Sequence, residues 1–289
     1  MSGQECNLPS PAKVNITLRI VSKRANGYHD LVSTFIRIDG VEEISIKFRD
    51  TCDGKDVVQT YNIRIDGENL INSTLSFLRK RNLPIPPLEV KVWKQIPPGS
   101  GLGGGSGNAA SILHWAKSRW GGDVTPMETS AIGADVPFLF SGYRAALVRK
   151  IGDDFTPIEP LEGYAFLFLI PNWRVPTTYA FSKLDQHYAS SGWPMDEGAA
   201  IDETLELLNR LKRGDRVGLL PNDFLPALAE HSNAYEEIFR SVENTGALAW
   251  GLSGSGSAAF AIFKGSCEAQ RSKQKLSSCR LIDRIMVFA

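Results

Sequence analysis

The segment Ile96-Pro-Pro-Gly-Ser-Gly-Leu-Gly-Gly-Gly-Ser-Gly-Asn-Ala-Ala110 crowds six glycines between Gly99 and Gly107. Glycine has no Cβ, so such a loop lets several backbone N–H groups converge on one point. The residues that follow, from about 106 to 120, put Ala110, Leu113 and Lys117 or Trp120 at helical spacing. A helix start directly after the loop adds its dipole, and the two together favour a polyanion such as a triphosphate. Ser106 is placed to cap that helix or to offer its hydroxyl to magnesium. A plain surface turn has little use for this many glycines before a helix.

Two familiar phosphate motifs do not fit. A P-loop closes on Gly-Lys-Ser/Thr, and here Gly107 is followed by Asn108 and Ala109. The run from Gly99 to Gly104 matches GxGxxG literally. The strand before it, however, alternates apolar Leu88, Val90 and Val92 with polar residues, and Pro97 and Pro98 separate strand from loop. A Rossmann first strand is apolar throughout, so the match is accidental.

Outward from the loop, the first third reads as strands. Val14, Ile16, Leu18 and Ile20 alternate with polar neighbours, as do Ile36 and Ile38, then Ile44, Ile46 and Phe48. Residues 69–81 read as a helix stopped before the prolines at 84–87. Beyond Pro157, residues 165–170 form a continuous apolar strand. Ile201, Leu205, Leu208 and Leu211 make a helix stripe ended by Gly214. Asn233 with Glu236 suggests a capping box for a helix reaching Val242. Residues 247–263 read as strand, Gly/Ser turn and strand, and 281–288 as a last strand. Strands and helices do not alternate regularly, which predicts α+β rather than a doubly wound sheet. A boundary falls near 152–160.

The 289 residues suit one large or two modest domains, and 43% hydrophobic residues suffice for a full core. With 32 basic and 32 acidic side chains the net charge is +0, so no bulk field draws in nucleic acid or membrane. Any phosphate site must be local. The four cysteines, Cys6, Cys52, Cys267 and Cys279, form no CxxC pair and no zinc set, as expected of free thiols in a reducing compartment. The first nine residues lack a signal-peptide core and no apolar run is long enough to span a bilayer. A cytoplasmic protein is expected.

Two charged residues stand out by context. Lys13, in Pro11-Ala-Lys-Val-Asn15, opens the first strand. Asp135, in Gly133-Ala-Asp-Val-Pro137, is flanked by Ala134 and Val136 and is a candidate for partial burial. Buried charges need partners, and Lys13 could be that partner. Taken singly, Lys13 reads as a solvated strand-end lysine and Asp135 as a turn or cap residue.

PSPAKVN, IPPGSGLGGGSGNAA and GLSGSGSAAF occur in the order of the three GHMP kinase motifs, and the chain resembles that superfamily. PAKVNITLRIVSKRANGYHDL, GADVPFLFSG and PNDF at 221–224 are similar to the branch that phosphorylates a cytidine diphosphate-linked methylerythritol. The resemblance covers nearly the whole chain. It implies an N-terminal domain, 1–155, like the second domain of ribosomal protein S5, and a ferredoxin-like C-terminal domain, 156–289. It implies transfer of the γ-phosphoryl of ATP to the 2-hydroxyl of the methylerythritol unit in isoprenoid precursor biosynthesis, with Mg²⁺ and without nucleic acid or membrane, by a monomer or weak homodimer.

The resemblance also implies roles. Asp135 is the general base and Lys13 its electrostatic partner. Pro98, Gly99, Ser100, Gly101, Leu102, Gly103, Gly104, Gly105 and Ser106 wrap the ATP phosphates, with Asn69 and Lys94 near the nucleotide. Asn15, Tyr28, His29 and Phe181 face the substrate, Tyr28 and His29 at its cytosine end. The third motif, 253–256, supports the phosphate loop, although an ordinary hairpin turn would also explain it. Two features depart from the family pattern: 125–132 is abbreviated, and Gly107 replaces a common serine. Another GHMP kinase, acting on mevalonate, homoserine or a sugar, and a silent nucleotide-binding relative are the alternatives.

Overall fold

Alternating apolar residues extend into longer strands than their core stretches announce. In the computed structural model, which describes residues 5–50, 54–65, 67 and 69–289, β1 is Cys6–Lys23 and β2 is His29–Phe48. The chain forms two compact units that interleave in sequence. One comprises Met1–Lys13, Arg37–Pro98 and Gly103–Arg144; the other comprises Val14–Ile36, Gly99–Leu102 and Ala145–Ala289.

In the first unit, the 43–48 half of β2 pairs antiparallel with β4 (Leu88–Trp93), which pairs parallel with β3 (Val57–Tyr61). The inward residues Ile44, Ile46, Leu88, Val90 and Val92 are fully or almost fully buried. Helix α1 (Leu70–Lys80) starts at Asn69, whose side chain accepts the Ile71 N–H. Helix α2 (Gly104–Trp120) packs on α1 and on the short α3 (Val136–Ser141). It begins earlier than its apolar spacing suggests, because Gly103 takes a left-handed conformation (φ 66°) and serves as the N-cap. Ser106 therefore lies inside the first turn and is not the cap.

The second unit holds β5 (Ala145–Lys150) between β6 (Asp154–Pro157) and the 31–36 half of β2. Its main sheet is built on β7 (Ala165–Pro171), buried along its whole length. Helices α4 (Thr177–Tyr188) and α5 (Glu197–Arg213) follow, then β8 (Gly218–Leu219), α6 (Phe224–Ala227) and α7 (Ser232–Glu243). Strands β9 (Ala249–Leu252) and β10 (Ala259–Phe263), helix α8 (Ser266–Leu276) and β11 (Ile282–Phe288) complete it, in the sheet order β11-β7-β10-β9-β8. Four of these five strands pair antiparallel, so the expected α+β class holds.

Two helix expectations need correction. Helix α5 buries Ala200, Thr204, Leu208 and Leu211, while Leu205 is 38% exposed. The face is turned by a polar contact, Thr204 Oγ1 to Thr17 Oγ1 at 3.0 Å. Asn233 is no capping residue: α7 starts at Ser232 with no side-chain cap, so Asn233 falls within its first turn. Cys6, Cys267 and Cys279 are free thiols, and Cys52 lies outside the described residues.

Gly107 has a packing reason. A Cβ added there would sit 1.7 Å from the Pro11 carbonyl oxygen, a backbone atom. Helix α2 thus meets β1 at a distance that excludes the serine common in relatives of this motif. Gly107→Ser should destabilise the protein by about 1–3 kcal/mol through forced separation of the two segments. A lowered urea midpoint would show it; an unchanged one would mean that the segments part freely.

Candidate active site

The glycine-rich loop is held from both sides within the first unit. Glu42, 4% exposed, accepts the N–H groups of Gln95 and Ile96 at 2.9 and 2.8 Å. Its other oxygen accepts Lys94 Nζ at 2.5 Å and Asn108 Nδ2 at 2.9 Å. Lys94 Nζ also donates to Asn108 Oδ1. Burial pushes the Lys94 ammonium below its ordinary value, against the pull of Glu42. Lys94, expected beside the nucleotide, is therefore engaged in a buried ion pair under the loop. Asn69, expected there too, has its side-chain oxygen committed to the α1 cap.

Lys13 and Asp135 do come together. Nζ lies 3.7 Å from Asp135 Oδ2, an ion pair too long for a direct hydrogen bond. The lysine side chain is 5% exposed and the aspartate 30%. Burial lowers the Lys13 pKa and Asp135 opposes the shift. A Cβ at Gly103 would lie 3.1 Å from Lys13 Cγ and 3.5 Å from Asp135 Oδ2, so the loop backbone runs directly past the pair. The first turn of α2 has no side-chain cap, which leaves its N–H groups available to an anion. Ser106 is in that turn, close to Gly133. Among the described residues no group of three or more His, Cys, Asp or Glu gathers for a metal. The oxygen donors here, the Ser106 hydroxyl and the Asp135 carboxylate, suit a hard cation carried on phosphates.

The first half of the loop belongs to the second unit and is clamped by the third motif. Ser253 Oγ donates to the Gly101 carbonyl at 2.9 Å, and the Ala258 N–H donates to the Ser100 carbonyl at 3.0 Å. A Cβ at Gly101 would fall 2.0 Å from the Ser253 oxygen, so only glycine fits. The 253–258 turn thus braces the loop as well as joining β9 to β10. The buried Ser100 hydroxyl has no partner among the described residues, as a ligand-facing donor would. Pro98 and Gly99 are exposed, whereas Leu102 is fully buried.

Three of the four substrate candidates are tied into this unit. Asn15, 1% exposed, donates its backbone N–H to Ser253 Oγ and its Nδ2 to Ser33 Oγ at 2.9 Å. His29 stacks on Phe181 with ring centroids 5.0 Å apart. Tyr28 is 61% exposed. Two unforeseen residues complete the histidine's surroundings: Asp185, whose Oδ1 is 2.7 Å from His29 Nε2, and Trp193, edge-on at 5.5 Å. Burial pushes the Asp185 carboxyl up, but hydrogen bonds from Lys23 and His29 outweigh it and hold the pKa below its ordinary value.

Comparison with known proteins shows the family. Residues 69–144 match the GHMP kinases N terminal domain, and residues 199–280 match the GHMP kinases C terminal domain. The 4-diphosphocytidyl-2-C-methyl-D-erythritol kinase of Porphyromonas gingivalis is 34% identical over 265 residues, 88% of this chain and 90% of the relative. That of Parabacteroides distasonis is 33% identical, again over 88% and 90%. The chain belongs to the GHMP kinase family. A crystal structure of 4-(cytidine 5'-diphospho)-2C-methyl-D-erythritol kinase shares the fold with a TM-score of 0.80 at 23% identity, covering 98% of both chains. A homoserine kinase from Cytophaga hutchinsonii gives 0.67 at 17% identity, covering 99% of this chain and 95% of the other.

Lys94→Met should cost about 3 kcal/mol of stability, since removing one partner leaves Glu42 as a buried charge with fewer donors. Urea unfolding measures it. A loss of nucleotide affinity at unchanged stability would instead assign Lys94 to the ligand.

Proposed function

We propose that this chain is an ATP-dependent kinase for 4-diphosphocytidyl-2-C-methyl-D-erythritol, acting in the methylerythritol phosphate route to isoprenoid precursors. The Lys13–Asp135 pair beside the glycine-rich loop carries the chemical part of the reading. The 34% identity to a kinase of that name, over most of both chains, carries the substrate.

Phosphoryl transfer depends chiefly on positioning and charge neutralisation. In this reading the 2-hydroxyl oxygen bonds to the γ-phosphorus as the bond to the β-phosphate oxygen breaks. Asp135 takes the hydroxyl proton and ADP leaves. Lys13 sets a positive charge beside Asp135 and offsets negative charge developing on the transferred group. The loop from Pro98 to Ser106 holds the ATP phosphates through backbone N–H groups, with Ser100 and Ser106 adding hydroxyls. Mg²⁺, when bound, would supply further charge neutralisation, and Ser106 is the residue that would hold it. His29 and Phe181, with Tyr28 and Asn15, take the cytidine side. The expected division at 155/156 places the two family matches on opposite sides of the boundary. A cytoplasmic monomer or weak dimer is the simplest assembly for such an enzyme.

An ADP-release assay with Mg-ATP tests the proposal by comparing 4-diphosphocytidyl-2-C-methyl-D-erythritol with mevalonate, homoserine and galactose. Turnover confined to the cytidine substrate is expected; preference for another alcohol would move the chain to a different branch. Asp135→Asn should lower kcat by about a hundredfold to ten-thousandfold with ATP binding and thermal stability retained. Wild-type turnover in that variant would remove Asp135 as the base.

A further inference from the structure

The contact between His29 and Asp185 has a chemical consequence. Asp185 lies on α4 four residues after Phe181, so both side chains share one helix face. Its Oδ1 meets His29 Nε2 at 2.7 Å, and its Oδ2 accepts Lys23 Nζ at 2.7 Å. A carboxylate only accepts hydrogen bonds, so the proton in the His29 contact belongs to Nε2. The imidazole is 7% exposed, stacked on Phe181 and met edge-on by Trp193. It is thus fixed on a face, along an edge and at one nitrogen.

The charge on Asp185 is already balanced by the Lys23 ammonium. The carboxylate can therefore hold the ring by a hydrogen bond without requiring an imidazolium ion. In a neutral imidazole protonated at Nε2, the other nitrogen, Nδ1, is purely an acceptor. An acceptor there suits the exocyclic amino group of cytosine, which donates. It does not suit uracil, which has a carbonyl oxygen in that place.

We propose that Asp185, balanced by Lys23, is a positioning residue that fixes the His29 tautomer and so makes the site select an amino-bearing pyrimidine over its keto counterpart. This rests on the assignment of His29 and Phe181 to the base. An asparagine at 185 would keep the shape, but its amide can serve either tautomer by turning over, so the enforcement disappears.

Two measurements on the full chain test this. Long-range ¹⁵N–¹H NMR reads the His29 tautomer, the signal being assigned by its loss in His29→Gln. Titration with CDP and with UDP reads base discrimination. The wild type should show the Nε2–H form and bind CDP at least about tenfold more tightly than UDP, the worth of one net hydrogen bond. Asp185→Asn should give a mixture of tautomers, which for an even mixture weakens CDP about twofold and, by supplying the Nδ1–H form, strengthens UDP, so the CDP/UDP ratio falls towards one.

A wild-type ring protonated at Nδ1, or an Asp185→Asn ratio equal to that of the wild type, overturns the proposal. Equal binding of CDP and UDP by the wild type is a different failure: it removes His29 from base reading and the proposal with it. If Asp185→Asn does not fold, Lys23→Met takes its place. Leaving the carboxylate without its balancing ammonium should again lower the CDP preference. An unchanged preference there overturns the proposal.

Discussion

A single buried carboxylate holds the loop-bearing part of the first unit together. The loop from 97 to 107 is rich in glycine, so its shape must be imposed from outside it. Glu42 does this by accepting the N–H groups of Gln95 and Ile96 before the loop and the side chain of Asn108 after it. Asn108 also donates to Ser10 Oγ at 2.8 Å, three residues before Lys13 on β1. A charge so deeply buried is tolerable only when fully bonded, and Lys94 completes the set. The loop, the start of α2 and the strand bearing Lys13 therefore share one electrostatic anchor.

Two kinds of polar chemistry lie side by side at the loop. Lys13 and Asp135 form a charged, asymmetrically buried pair, with the lysine the more enclosed partner. Burial lowers the Lys13 pKa, and the neighbouring carboxylate opposes the shift. The loop instead offers peptide dipoles and hydroxyls. Its glycines are needed where backbone meets backbone, as Gly101 does against Ser253. In the second unit, Asn15, Ser33 and Ser253 form a buried hydrogen-bonded set whose members come from distant parts of the chain.

Much of this was legible in the sequence, and the exceptions have physical causes. The loop followed from residue type and order, while the Lys13–Asp135 pairing and the bracing role of 253–256 came from the resemblance to the GHMP kinase motifs. The α1 boundary followed from helix-ending signals, and Asn69 proved to be its cap. Lys94 was identified without Glu42, although strand alternation puts Glu42 in phase with buried Ile44 and Ile46. Asp185 was missed although it stands one helical turn beyond Phe181. Helix α5 misled because its buried face includes a threonine satisfied by another threonine, which no apolar periodicity records. Gly107 looked like a lost hydroxyl; its cause lies with Pro11, nearly a hundred residues earlier.

The absence of any titratable side chain between 97 and 112 has a consequence for ionic strength. The field of a dipole falls off faster than that of a charge, and it acts within the first turn of a helix. Dissolved salt screens interactions across about a Debye length, roughly 8–10 Å at physiological concentrations, and leaves contact at hydrogen-bond range largely untouched. A neutral loop on a chain of net charge +0 would therefore gain little from long-range steering of nucleotide and lose little to salt. Capture by such a loop is governed by fit at contact, and its strength should hold across ionic conditions that would weaken a cluster of lysines.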